Sequence, residues 1–436
     1  MQHIDDFKSG KLIGAKKIKL SCHLTQFPNE LFTLTDTLEV MDLSNNRLSV
    51  LPEDFGRFKK LKIAFFSDNL FTQLPQVLSQ CPNLEMIGFK SNQISIVPEN
   101  ALPKETRWLI LTNNLIEQLP KSIGNCYRLQ KVALAGNRLT ELPQEMEACK
   151  NLELLRISAN NITQLPSWLF NLPKLTWLAY SGNPCGYAPI HNNQLNTVAW
   201  NKIELKEQLG EGASGIISKA QIGEKTAAVK IFKGEVTSDG LPEHEMNASI
   251  FAGNHPNLVE VLGKVEQHPE NKNGLVLSLI PPEFKNLGNP PSFETCTRDT
   301  FDEQLFFTLN QLTTIALGIC SAMVHIHSKG IMHGDLYAHN ILINEKGKPI
   351  LGDFGAATLY HIHSTNATAN EKLDVRAFGC LLEDLLNRTK YESSSEKLII
   401  ELNQVKTNCM NTAFMQRPNF AAIELKIKEI VKNNSY

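Results

Sequence analysis

The sequence of 436 residues has no excess charge of either sign: 43 Lys and Arg stand against 45 Asp and Glu, a formal net charge of −2. No global basic field is present to draw nucleic acid or an acidic membrane surface. Long apolar runs are missing too. The stretch around Ile315 to Ile326 is broken by Gly318, Ser321 and His325. That is short of the roughly 18 residues a spanning helix needs, so no membrane span is expected. The opening Met1-Gln2-His3-Ile4-Asp5-Asp6 carries neither the basic nor the apolar segment of a secretory leader. Nine cysteines occur, but none forms a Cys-x-x-Cys pair, which leaves zinc and redox motifs unsupported. A reducing, cytoplasmic setting is expected.

What the first half has is repetition. Asn46, Asn69, Asn92, Asn114, Asn137, Asn160 and Asn183 recur 22 or 23 residues apart, each in an L-x-x-L-x-L-x-x-N-x-L frame such as Leu129, Val132, Leu134, Asn137, Leu139. A Leu-Pro pair follows five residues or so after most of them, as at Leu51-Pro52 and Leu142-Pro143, with Val97-Pro98 a variant; Ile18, Leu20, Leu24 and Phe27-Pro28 form a degenerate first copy. Cys81, Cys126 and Cys149 each fall three residues before a Leu, a repeated core position. The L-x-L part predicts a short strand with inward leucines, and the Asn can satisfy turn backbone groups that stacking would strand. One repeat cannot bury its own apolar face, so the array is stable only when stacked.

Pattern and period resemble the leucine-rich-repeat family over about residues 15 to 190, about eight repeats, which implies an α/β solenoid shaped as a horseshoe. The strand positions flanking the core leucines should then line the concave face. They include Val40, Phe65, Trp108, Ile110, Lys131, Arg156 and Trp177. Such an apolar stripe with Phe65, Trp108 and Trp177 as aromatic anchors is expected to bind a protein partner or substrate. The bland alternative is cover by another part of the chain or a second copy. The array is expected to fill residues 1–183, with cap and linker at 184–199, including His191, Asn192, Asn193 and Gln194, and a further domain at 200–436.

Several motifs follow in order. Gly210-Glu211-Gly212-Ala213-Ser214-Gly215-Ile216-Ile217 reads G-x-G-x-x-G-x-I between two β-rich runs, a turn whose N–H groups can approach phosphate oxygens. Ala228-Val229-Lys230 lies on an expected strand. Glu245, with Glu243 as competitor, sits on an expected helix. Leu275 to Ile280 reads as a strand entering a hinge, with Leu277 at its mouth. Next come His333-Gly334-Asp335-Leu336-Tyr337-Ala338-His339-Asn340, then Asp353-Phe354-Gly355, Asp374-Val375-Arg376-Ala377-Phe378-Gly379 and Arg417-Pro418.

In that order the motifs resemble the protein kinase family from about residue 203 to 433. The resemblance implies an α+β two-lobed fold and a multidomain chain, like the soluble leucine-rich-repeat kinases of bacteria. It implies ATP and Mg²⁺ as cofactors. Asp335 would accept the substrate hydroxyl proton; Lys230, oriented by Glu245, would reach the phosphates; Asn340 and Asp353 would hold Mg²⁺. Gly210 to Gly215, Ile217, Ala228 and the backbone of Ile280 would line the nucleotide site. His333 would be structural, and Asp374 would open a helix bracing the catalytic loop. All of these motifs fall within residues 200–436, so that part alone is expected to keep basal activity.

Three features depart from the family pattern. Gly334 stands where an Arg usually pairs with a phosphorylated activation loop, so control by phosphorylation there is not expected. Tyr337 replaces a Lys of serine/threonine kinases that contacts the γ-phosphate. Asp353 and Asp374 are only 21 residues apart, with no A-P-E between them. A kinase acting on protein hydroxyls, Ser or Thr before Tyr, is the expectation. The alternatives are a pseudokinase scaffold and, from His333-Gly334-Asp335, a small-molecule phosphotransferase.

Overall fold

The computed structural model describes residues 11–187, 196–234 and 236–434. The segment from His191 to Gln194 lies outside them. The chain divides into two compact units, one running to Leu175 with Asn183–Cys185, the other made of Thr176–Gly182 and Gly186 onward.

In the first unit, seven three-residue strands follow the repeat: β1 Lys17–Lys19, β2 Val40–Asp42, β3 Ile63–Phe65, β4 Met86–Gly88, β5 Trp108–Ile110, β6 Lys131–Ala133 and β7 Leu154–Arg156. Each pairs in parallel with the next. A 3₁₀ turn after the Leu-Pro pair, such as Glu53–Arg57 or Gln144–Ala148, returns the chain. The repeated asparagines are buried and bond in one way. Asn114 donates from Nδ2 to Phe89 O (2.9 Å) and Leu111 O (3.0 Å) and accepts from Ile94 N (2.9 Å), tying its repeat to the one before. The residue ahead of each ladder Asn has positive φ: Asn45 (59°), Asp68 (53°), Ser91 (53°), Asn113 (57°), Gly136 (70°), Ala159 (53°), Gly182 (72°). That left-handed turn is what aims the Asn inward. All nine cysteines are free thiols. Burial pushes the Cys81 and Cys149 thiols up to about 11 and Cys126 up to about 12, as expected of core positions.

The second unit starts earlier than the motifs place it. The strand β8, Trp177–Ala179, carries the last repeat signature in sequence yet folds with the second unit. The reason is local: Trp177 and Tyr180 are 1% and 3% exposed, with hydrogen bonds to Leu336, Thr358 and Asn370. Trp177 is therefore not an anchor on an open concave face, and the three-residue stripe fails at that position. Residues 197–199, expected as linker, are strand β9, Thr197–Ala199.

One lobe of this unit is a six-stranded sheet, ordered β10-β11-β12-β14-β13-β9, with β10 Ile203–Glu211, β11 Gly215–Ile222, β12 Lys225–Phe232, β13 Val261–Glu266 and β14 Gly274–Leu277. Its core gathers Ile203, Ala220, Ala227, Val229, Val265 and Val276. Helix α1, Pro242–Ala252, belongs to the same lobe, its Met246 packed with Phe232, Val261 and Leu275 of the sheet. The other lobe holds α2 Leu309–Ser328, α3 Ala367–Asn387, α4 Glu396–Cys409 and α5 Phe420–Asn434, with short strand pairs around the loops. Helix α2 opens on a capping box from Thr308 and Gln311. By length and composition α2 is long and apolar enough to cross a membrane, a test that a buried core helix also passes; half of its apolar window is buried.

Candidate active site

The glycine-rich turn joins β10 to β11, where Gly212 N donates to Gly215 O (3.0 Å). A Cβ at Gly215 would stand 2.6 Å from Ile231 O, so close strand approach requires glycine there. Lys230 lies on the central strand β12, opposite Ile217 on one side and Leu275 on the other. Its Nζ pairs with Glu245 of α1. Glu243, the competitor, lies 3.9 Å from His244 with a largely exposed side chain. Glu245 is 4% exposed. Burial pushes its carboxyl up, Lys230 pulls it down and the Asp353 carboxylate adds to the rise.

Lys230 and Glu245 open into a cavity of about 630 Å³ between the lobes. Leu209, Gly210, Ile217, Ala228, Leu277 and Leu342 supply apolar walls; Ile280, Asn340 and Asp353 also reach it. Pro281 and Pro282 have no N–H, so Ile280 is the last of the hinge residues before them to offer a backbone donor.

Below the cavity runs the loop His333 to Asn340. His333 is fully buried. Its Nδ1 accepts from Asp335 N (3.3 Å), which leaves Nε2 to carry the proton and donate to Gly352 O (3.1 Å). Asp374 anchors the loop from α3: its two oxygens accept from His333 N (2.7 Å) and Gly334 N (3.0 Å), and His327 Nε2 is 3.0 Å away. Asp374 is the eighth residue of α3, not its start. The helix begins at Ala367 and consumes residues read as loop, so the segment after Asp353 is shorter than its spacing suggests.

Asn340 Nδ2 donates to Asp335 O (3.0 Å) and Asp335 Oδ2 (2.8 Å), leaving its Oδ1 as the acceptor. Asp353 has φ +54°, a strained value for a residue with a side chain, and its Oδ1 accepts from Gly355 N (3.0 Å). One carboxylate and one amide oxygen on a shared cavity form a hard-oxygen pair that suits Mg²⁺ completed by phosphate oxygens. Among the described residues no cluster of three His, Cys, Asp or Glu could hold a metal unaided.

The departures have structural causes. Gly334 has φ +70°, and a Cβ there would meet Leu178 O at 2.5 Å and Ala356 O at 2.9 Å. Tyr337 does not face the cavity as a phosphate contact would; its ring is stacked on Trp177, centroids 4.4 Å apart and planes at 10°. Arg417 is buried and donates to Lys372 O (2.9 Å) and Asn411 O (2.8 Å).

Two groups carry no clear signal in the sequence. Asp299 accepts from Ala338 N (2.6 Å), His339 N (3.2 Å) and His339 Nδ1 (2.7 Å). Burial opposes charge on His339, but Asp299, with the fields of Asp335 and Asp353, outweighs it and holds the imidazole above its ordinary value. The only hint in the sequence is a His directly before Asn340.

Comparison with known proteins follows the two halves. Residues 203–434, more than half the chain, match the family model described as protein kinase domain. Residues 127–184 and 37–58 match leucine-rich-repeat models. The chain is 28% identical over 200 residues to fibroblast growth factor receptor 1 of Xenopus laevis, covering 41% of this chain and 24% of that protein. It is 27% identical over 203 residues to the probable serine/threonine-protein kinase glkA of Dictyostelium discoideum (42% and 39%). It is 26% identical over 237 residues to a putative serine/threonine-protein kinase of Acanthamoeba polyphaga mimivirus (49% and 42%). The chain thus spans less than half the length of these relatives.

Proposed function

We propose, from the premise that this chain belongs to the protein kinase family, that it transfers the γ-phosphoryl group of ATP to protein hydroxyls, Ser or Thr before Tyr. The observation that carries this is the convergence of Lys230, Asn340 and Asp353 on one cavity, with Asp335 bonded to Asn340. Two relatives are named serine/threonine-protein kinases, which favours Ser and Thr.

When bound, ATP with Mg²⁺ supplies the phosphoryl group and the positive charge that offsets what develops on its oxygens. The chain does the rest. Glu245 fixes Lys230 so that its ammonium faces phosphate oxygens. Leu209, Ala228, Leu277 and Leu342 exclude water from the adenine end, where Ile280 offers its backbone N–H. Asp353 and the Oδ1 of Asn340 hold the cation. The Nδ2 of Asn340 orients Asp335, whose carboxylate accepts the hydroxyl proton of the acceptor. Incubating the full chain with Mg²⁺ and labelled ATP should label a generic protein acceptor and lose all labelling on chelation. Labelling of an aminoglycoside alone would point to a small-molecule phosphotransferase, and nucleotide binding without transfer to a scaffold.

The repeat unit in this reading recruits the protein partner or substrate, the general use of leucine-rich repeats. Ile110, partly exposed at the end of β5, is a suitable probe. Ile110→Arg should weaken capture of proteins held by the full chain about tenfold, about 1.4 kcal/mol, with transfer to the generic acceptor unchanged. Equal capture by both forms would remove recruitment from this face.

A further inference from the structure

The backbone on both sides of Asp335 is gripped by one strip of chain, Thr176–Gly182. Ahead of Asp335, the carbonyl of Leu178 presses so close to Gly334 that a Cβ would stand 2.5 Å from it. Behind Asp335, the Trp177 Nε1–H donates to Leu336 O (3.3 Å), and its indole lies flat on Tyr337. Tyr180 N donates to Thr358 Oγ1 (3.2 Å), just past Asp353-Phe354-Gly355. The Tyr180 hydroxyl donates to Asn370 Oδ1 (3.2 Å) and accepts from Asn370 Nδ2 (3.0 Å) on α3, and Thr176 Oγ1 accepts from Arg376 Nε (3.0 Å). Thr358 is fully buried, so the segment after Asp353 is fixed from within.

A loop that carries a base must hold it within a fraction of an ångström, and loops do so only when packing over-determines them. We propose that Trp177 and Tyr180 are positioning residues for Asp335 and for the segment Phe354–Leu359. By packing, the strip supplies the order that an Arg at position 334 paired with a phosphate would otherwise supply. The catalytic consequence rests on the kinase reading; the grip on the loop does not.

The test uses the full chain with Trp177→Ala, Trp177→Phe and Tyr180→Phe. Two quantities are read: amide hydrogen exchange across 333–340, and kcat against KM for ATP. Trp177→Ala should speed exchange of these amides and lower kcat by roughly ten- to a hundredfold, with KM for ATP within about twofold. Trp177→Phe keeps a ring on Tyr337 and should recover most of both. Tyr180→Phe, which loses the hydroxyl's link to Asn370, should shift both in the same direction by less; it and Trp177→Phe decide the matter if the alanine variant does not fold. Exchange across 333–340 as slow as in the parent chain overturns the proposal. So does a kcat loss matched by an equal rise in KM and not relieved by phenylalanine. If the parent chain transfers no phosphate, the kinase reading falls, and the exchange data alone decide whether the strip holds the loop.

Discussion

Replacing Asp335 by asparagine is expected to lower kcat by roughly 10²–10⁴, the usual worth of a positioned base, while nucleotide affinity stays nearly unchanged. The substitution is almost isosteric, so the bond from Asn340 Nδ2, now 2.8 Å to Oδ2, can persist to an amide oxygen. The loop is also anchored through other groups: His333 N and Gly334 N bond to Asp374, and Ala338 N to Asp299. What is lost is the ability to accept a proton from the attacking hydroxyl. Single-turnover transfer and nucleotide binding, measured on the same preparation, separate the two. A rate equal to that of the parent chain would remove Asp335 from the mechanism.

The largest stability effect is expected at Asp374. Its carboxylate is fully buried and accepts two backbone N–H groups, with His327 beside it. Asp374→Ala strands those two N–H groups away from water, and each buried donor left without a partner costs about 1–3 kcal/mol. Total stabilities run about 5–15 kcal/mol, so the second unit would lose a large share of its own. Asp374→Asn keeps one acceptor and should cost less. Urea midpoints followed by a probe within the second unit would check the order parent, Asn, Ala; an Ala variant as stable as the parent would contradict it.

The sequence makes legible whatever is local or periodic. The repeat array declares itself because each repeat contacts its neighbours at a fixed spacing, and the ladder Asn appears where its two-repeat bonding needs it. Asp335 and Asn340 are close in the chain and close in space, so their pairing is visible as a motif. The rest depends on distant chain. Trp177 reaches Leu336 across 159 residues, and Asp299 reaches Ala338 and His339 across 39 and 40. No period or spacing records such meetings. Trp177 occupies a strand position that usually faces a concave surface, so its aromatic character reads as a binding anchor. Gly334 reads as a lost guanidinium, when the space for any side chain is taken by Leu178 O. The early start of α3 is signalled only by Asn366, a residue type favoured at N-caps, and its side chain makes no capping bond.

The strip Thr176–Gly182 bears on inheritance as well as on chemistry. A chain of two interchangeable cassettes could exchange its halves at any breakpoint in the connecting segment, and residues 184–199 look like such a seam. Here a crossover in that seam would leave Asp335 with foreign neighbours on both flanks. A fragment beginning at residue 200 would carry every catalytic motif yet lack Trp177 and Tyr180, so its basal activity is no longer expected to match that of the full chain. The smallest transferable kinase cassette starts ahead of Thr176, inside what the repeat pattern counts as the last repeat. Recombination that respects this limit moves the final repeat with the enzyme, and the repeats before it remain free to diverge in number and in surface.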